Sequence, residues 1–435
     1  MLIQFSVSNF KSIKDEATLS LVSGTSNNFE NTIPVDNFLL LPSAVIYGAN
    51  ASGKSAIVEA FSMMRDIVLN KNRTMLSTDE LPINPFLLST ETQGAATVFD
   101  IVFESLGKRY KYGFEYDTHC VYAEYLYVYD SNRPTAVFDL DVEKEPKISE
   151  RHKELKKIKK PNKNLLFLWS ADQIGNNCAQ EVLKWFKSVS VIKSNRVAEN
   201  LMPDLRSAMN EDLSRKKIVE LMKNADFGIE DVKLNSEAVA FSDVPAEIRN
   251  KIAHATDSND KIIIQKLSFD TIHTQYDENN NPLQEIPFDM GRDESFGIKS
   301  YFYLSASILK ALEQGSLLVI DELDLSLHPL LSQKIIELFN TPKINKKHAQ
   351  LVFTTQDTNL LKKKNFHKSQ VWFTEKDKYG ATHLTSLVEY KNIDSKFDYE
   401  QNYIMGKYGA IPYLGAFDYF DKILESNLGG DDGKK

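Results

Sequence analysis

The sequence predicts an α/β fold in which a mostly parallel sheet carries a phosphate-binding loop, with an antiparallel β lobe attached and a helical insertion between its halves. Three observations predict it. The stretch "VIYGANASGKSAIVEA" (45–60) sets G-x-x-x-x-G-K-S between an apolar strand and a helix, the order that lets a glycine loop wrap a phosphate. From about residue 316, apolar strands alternate with helices, as in a parallel sheet buried on both faces. Between them lie the alternating runs "TVFDIVFES", "KRYKYGFEY" and "EYLYVYD", which suit an antiparallel meander.

Taken in order, 1–22 and 41–48 read as strands, the second feeding the glycine loop and a helix over 54–69. The meander occupies 96–140. The lysine-rich "SERHKELKKIKKPNKN" (149–164) marks a lobe boundary, and 165–226 shows the three-and-four apolar spacing of amphipathic helices. Two strands around an Asn-rich turn follow. The chain then reads as helix 297–314, strand 316–321, helix 329–339, strand 350–355, a further helix, and strand 370–375. This gives an N-terminal half (1–148), a helical insertion (149–235) and a C-terminal half (236–435), with a disordered tail "GGDDGKK".

At 435 residues and 42% hydrophobic, the chain has room for one large or two ordinary cored domains. Its 52 basic against 60 acidic residues leave a net charge of −8, so nucleic acid would have to find a local patch. Cys120 and Cys178 are too few and too far apart for a metal knuckle or a disulfide framework. The start alternates like a strand and lacks a secretory pattern. No apolar run reaches membrane-spanning length. A soluble cytoplasmic protein without a membrane partner is expected.

The glycine loop, Gly48, Ala49, Asn50, Ala51, Ser52 and Gly53, turns backbone N–H groups toward a β-phosphate, aided by the positive end of the following helix. Lys54 is expected on the β- and γ-phosphates of ATP, and Ser55 on Mg²⁺. The second element, "GSLLVIDELDLSLHP" (315–329), runs an apolar strand into two carboxylates. Asp321 suits the magnesium ion, and Glu322 suits orienting or deprotonating the attacking water. More than half the chain separates these elements, so a large insertion must lie between two halves of one site. A third element, "DESFGIKSYFYL", opens a helix with Ser295 and Gly297. They form either a helix cap or a γ-phosphate donor acting on a nucleotide bound by a partner protomer. The basic run at Arg151, Lys153, Lys156, Lys157, Lys159, Lys160 and Lys163 is either a solvated loop or a docking surface for nucleic acid or an acidic partner. The aromatic end, with Tyr403, Tyr408, Pro412 and Phe417, is either core or an oligomer contact.

"SNFKS" (8–12), "YGANASGKS", "DESFGIKS", "LLVIDELDLSLHP", "LVFTTQDTNLL" and "YIMGKYGAIPYLG" follow one another as in ABC-type ATPases related to SMC and RecF. The chain resembles, more closely, the AAA-family ATPases of bacterial anti-phage defence of the AbiL/RloA type, related to the PARIS ATPase. The resemblance implies an ABC-type head whose helical insertion replaces the SMC coiled coil. It further implies a head-to-tail homodimer or higher oligomer sandwiching two ATP molecules. Such a sensor would control a separate, co-encoded effector, expected to be a nuclease, in abortive infection set off by a phage-encoded trigger. By the same resemblance Gln93 would sense Mg²⁺ and the γ-phosphate, and Lys11 would be a basic residue near the nucleotide. Gln356 stands where the family usually has a switch histidine, and its amide has no titratable proton. Slow turnover, with ATP partly a conformational latch, is expected. The other readings are a RecF/SMC-like DNA-binding repair ATPase and a scaffold that only binds ATP; a transporter ATPase fits poorly.

Overall fold

A computed structural model describes residues 1–24, 31–71, 74, 76–130, 133–158, 162–194, 197–239, 244, 249, 264–391 and 398–411. The strands in chain order are β1 (Leu2–Ser8), β2 (Ala17–Ser20), β3 (Ile33–Val35), β4 (Phe38–Leu40), β5 (Ser43–Gly48), β6 (Thr97–Ser105), β7 (Lys108–Tyr116), β8 (Val121–Tyr129) and β9 (Pro134–Asp141). They continue with β10 (Ser190–Ile192), β11 (Asp231–Val239), β12 (Ile264–Tyr276), β13 (Pro282–Asp289), β14 (Leu317–Ile320), β15 (Gln350–Thr354), β16 (Val371–Lys376) and β17 (Thr382–Ser386). Two six-stranded sheets hold the molecule together, one ordered β10-β14-β15-β5-β16-β17 and the other β2-β1-β6-β7-β8-β9.

The first sheet is parallel except for β17. Its strands are apolar because both faces are covered, and the pleat divides their side chains between two cores. On β5, Ala44 and Ile46 enter one cluster while Val45 and Tyr47 enter the other. On β14, Leu317 and Val319 face the first, Leu318 and Ile320 the second. The first core also holds the helix Lys54–Val68 and the inner face of the antiparallel sheet. The second holds the helices Phe296–Gln314 and Pro329–Asn340. Gln350 ties the sheets together: its amide accepts from the Leu2 N–H at 2.6 Å and donates to the Leu2 carbonyl at 3.0 Å.

The meander is present as β6 to β9, all antiparallel, but it is not self-contained. The expected strand over 1–22 breaks where Asn9 and Lys11 take left-handed φ of 50° and 51°, and β1 and β2 then extend the meander's sheet. Helices Phe167–Gln173 and Asn177–Ser188 pack onto this lobe, with Trp185 stacked on Phe103 at 4.4 Å between ring centres.

Three further expectations need correction. The stretch 165–226 is not wholly helical, because β10 interrupts it and pairs in parallel with β14; three residues are too short to show a strand period. The helix expected between 355 and 370 is replaced by short turns at Thr358–Leu360 and Lys368–Gln370. There the Asp357 side chain accepts the Asn359 N–H and the His367 side chain accepts that of Ser369, local bonds that compete with a helix. Strands β3, β4, β11 and β17 were not expected; β3 pairs with β4, and β11 joins β12 and β13 in a separate three-stranded sheet. Tyr403 and Tyr408 are core residues, packed on Phe373 at 5.5 Å and 4.8 Å. Pro412, Phe417, the tail, and Lys159 and Lys160 of the basic run lie outside the described residues. Cys178 is buried and Cys120 partly so.

Candidate functional site: a phosphate-loop cleft

Where β5 ends, the chain leaves the sheet at Gly48 and re-enters a helix at Lys54. Gly53 caps that helix with φ 107°, a conformation costly for residues with a Cβ, and any side chain there would collide with Thr382. The loop is clamped from the neighbouring strands. The Ser52 and Thr374 hydroxyls are 2.6 Å apart, and the Thr382 hydroxyl donates to the Ser52 carbonyl at 2.9 Å. β16 and β17 thus fix the loop before any ligand arrives, so binding need not bear the full cost of ordering it.

Lys54 is buried, at 5% exposure, and its ammonium donates to the Gly48 and Ala49 carbonyls at 2.7 and 3.0 Å. Burial lowers its pKa, opposed by the nearby Glu322, Asp321 and Asp324. Among the described residues no carboxylate lies within ion-pair distance of it. A buried cation held only by carbonyls is a site short of an anion.

Across the cleft, β14 delivers Asp321, also 5% exposed. Its Oδ1 accepts from the Ser55 hydroxyl at 3.1 Å and from the Thr354 hydroxyl at 2.8 Å, while the Ser194 hydroxyl lies 3.4 Å from Oδ2. Glu322 follows in a left-handed conformation, φ 54°, and its N–H donates to the same Thr354 hydroxyl at 2.7 Å. One hydroxyl on β15 therefore sets both acidic residues. A non-glycine residue in this region stores strain that the surroundings must hold. The Gln356 N–H donates to Asp324 at 3.2 Å.

Asn50, Ala51, Gly53, Lys54, Ser55, Glu322, Gln356 and Lys11 all line one cleft of about 570 Å³. The fold thus brings residues from both halves of the chain to one cleft. Lys11 is ion-paired with Glu59, and its pKa is lowered by burial and by Lys193. Ser52 is buried beneath the loop. Gln93 is not brought to the cleft: its exposed amide donates to the Leu87 carbonyl at 3.0 Å, because the segment before β6 folds on itself as a turn. Ser295 and Gly297 do not line their own chain's cleft either. Ser295 caps its helix, accepting the Ile298 N–H at 3.3 Å, and is exposed. Gly297 admits a close neighbour, since a Cβ there would come within 2.7 Å of the Ser326 carbonyl.

Thr354, Thr374, Thr382, Ser194 and Lys376 were missed. Thr354 had a signal, a hydroxyl closing the apolar strand next to the acidic one; the others sit in no motif.

The donor set fits a nucleoside triphosphate with Mg²⁺. Lys54 lacks an anion, and Ser55 and Asp321 present two hard oxygens from different elements, as magnesium prefers with water completing its shell. The fold and this cleft define a P-loop nucleotide-binding domain. The chain belongs to the family described as "AAA domain, putative AbiEii toxin, Type IV TA system", whose model matches residues 43–362. No curated protein matches significantly. Among solved structures, the SMC head domain from Thermotoga maritima is similar, with TM-score 0.40 and 14% identity over 88% of this chain and 98% of that one. An SMC head bound to the C-terminal winged-helix domain of ScpA gives TM-score 0.40 and 11% identity, over 90% and 99%. No helix among the described residues is long and apolar enough to cross a membrane.

Proposed function

We propose that the chain is an ATP-binding and hydrolysing ABC-type ATPase that senses infection and controls a separate effector, probed as the product of a neighbouring gene and expected to be a nuclease. The observation that carries the enzymatic part is the meeting of Lys54 and Ser55 with Asp321 and Glu322 in one cleft. Bound Mg²⁺ would neutralise charge on the phosphates, with Ser55 and Asp321 holding it. Lys54 would hold the β- and γ-oxygens in place of the loop carbonyls. Glu322, facing the cleft, orients and deprotonates water there.

The exposed Ser295, at a helix N-terminus that does not line its own chain's cleft, supports a head-to-tail arrangement in which it caps the nucleotide of a second copy. The family's description as a toxin–antitoxin AAA domain supports a defence role with a partner protein and a phage-borne trigger. A second reading, a RecF/SMC-like DNA-binding ATPase, draws on the basic run, in which Arg151 is paired with Asp130 at 3.0 Å while several lysines face solvent.

Glu322→Gln should retain ATP binding, lose hydrolysis by roughly a hundredfold or more, and sediment as a dimer with ATP and Mg²⁺. A profile that stays monomeric with ATP would count against the sandwich. Pull-down of this variant with the product of a neighbouring gene should recover that protein in an ATP-dependent way; recovery of DNA alone would favour the second reading.

A further inference from the structure

A second polar cavity of about 320 Å³ lies between the helix Lys54–Val68, β10, and the helices Val197–Asn210 and Phe296–Gln314. Its size is that of a small-ligand site, and its walls carry ionised groups and hydroxyls. Arg65, Lys71, Lys193 and Lys310 line it, against two carboxylates, Asp66 and Asp204. Asp66 is shared between Lys71 at 2.7 Å and Arg65 at 3.7 Å, and Asp204 is held by Lys310 at 2.9 Å. Among the described residues, Lys193 has no carboxylate within ion-pair distance. The cavity therefore carries two positive charges in excess.

A second observation points the same way. Ser307, at 1% exposure, lines the cavity, and its hydroxyl has no hydrogen-bond partner. Buried hydroxyls without partners are rare because each gives up its hydrogen bonds to water with nothing in return.

We propose that this cavity binds a phosphate dianion, free or carried as a phosphomonoester, through Lys193, Arg65 and the Ser307 hydroxyl. A phosphate group carries up to about two negative charges near neutral pH and three acceptor oxygens. It matches the excess charge and supplies the acceptor that Ser307 lacks. Arg65 keeps donors free for it, since its Nε is spent on the Phe186 carbonyl at 3.1 Å and the rest of the guanidinium fork suits phosphate oxygens.

The cavity is coupled to the cleft by a short path. The Ile192 carbonyl on β10 accepts the Asp321 N–H at 2.9 Å, and Ser194 approaches the Asp321 carboxylate. Lys193 lies between these two residues, so an anion that draws on it acts on the segment holding Asp321. That coupling rests on the ATPase reading; binding of the anion does not.

The test is equilibrium dialysis of the full-length Lys54→Ala chain, which lacks the main cation of the nucleotide cleft, against radiolabelled inorganic phosphate. About one phosphate per chain is expected. Adding Lys193→Ala or the milder Ser307→Ala should weaken it at least tenfold, with thermal melts showing that each variant is folded. Displacement by AMP at lower concentration than by phosphate itself would assign the site to a monoester; displacement only by phosphate would assign it to the free ion. Failure of folded Lys54→Ala to bind either one overturns the proposal, as does binding that neither second substitution changes. ATP hydrolysis by Lys54→Ala would sink the functional reading and leave this one standing.

Discussion

Asp321 and Glu124 are both buried carboxylates, one just past the end of β14 and the other within β8, and they are held in opposite ways. Glu124, at 2% exposure on β8, accepts the backbone N–H groups of Phe167 and Leu168 and the hydroxyl of Tyr112. Two of these donors are main chain and cannot turn away. Asp321 is surrounded by the hydroxyls of Ser55, Thr354 and Ser194, from three separate segments. Hydroxyls rotate, so they can release the carboxylate to another partner and re-form when it leaves. Burial alone therefore does not tell the two carboxylates apart; the freedom of their donors to rotate does.

The comparison is broken most directly at Asp321. Asp321→Asn should lower ATP turnover by roughly a thousandfold, since metal-assisted charge stabilisation is worth several kcal/mol, yet leave the melting temperature unchanged or slightly raised. A large loss of Tm would show that Asp321 is structural after all. Thr354→Val removes the hydroxyl shared by Asp321 and Glu322 and leaves the Glu322 N–H unpaired. With a penalty of roughly 2 kcal/mol, kcat should fall about 30-fold while nucleotide affinity changes little. Thr354→Ser should restore it, and equal losses in both variants would reject the clamp.

Glu124 sharpens the other side. Its pKa is pushed up by burial, against its hydrogen bonds, from the ordinary 4.5 to about 7. The native state thus holds a proton that the unfolded chain gives up between these values. Stability from this group is greatest below the window and falls as pH rises through it, by roughly 3 kcal/mol in all. Glu124→Gln should flatten that part of the Tm–pH curve without altering ATPase activity; an unchanged slope would place its source elsewhere. The smallest effect is expected from Gln356→His, which introduces a titratable side chain at the cleft. A roughly threefold rise in kcat, under 1 kcal/mol, should appear in steady-state assays, and a fall would show that glutamine is the better residue here.

Much of this was legible in the sequence because two strong signals coincide. β5 carries the apolar run Ala44–Tyr47 into the glycine loop and β14 carries Leu317–Ile320 into two carboxylates, so strand, loop and helix were readable together with Lys54, Ser55, Asp321 and Glu322. What stayed hidden are contacts made across the sheet. Thr374 and Thr382 reach the loop only because β16 and β17 come to lie beside β5. Ser194 reaches Asp321 only because β10, three residues long, slips in beside β14. Nothing in the local pattern of these residues announces a partner more than a hundred positions away. Gln93 failed for the converse reason: its identity suggested a role, but its turn satisfies its amide locally.

The clamp on the glycine loop also imposes an order of events at the ribosome. The loop is complete in sequence by Ser55, but the flanking strands β15 and β16, and the Thr382 hydroxyl that holds Ser52, are made much later. At ordinary translation speeds the interval is roughly 15–65 s. During it the nascent loop lacks the Thr374 and Thr382 contacts that hold Ser52. Competence to bind is thereby deferred until the chain has been made past Thr382, so products of interrupted synthesis that stop before it carry the motif without the clamp.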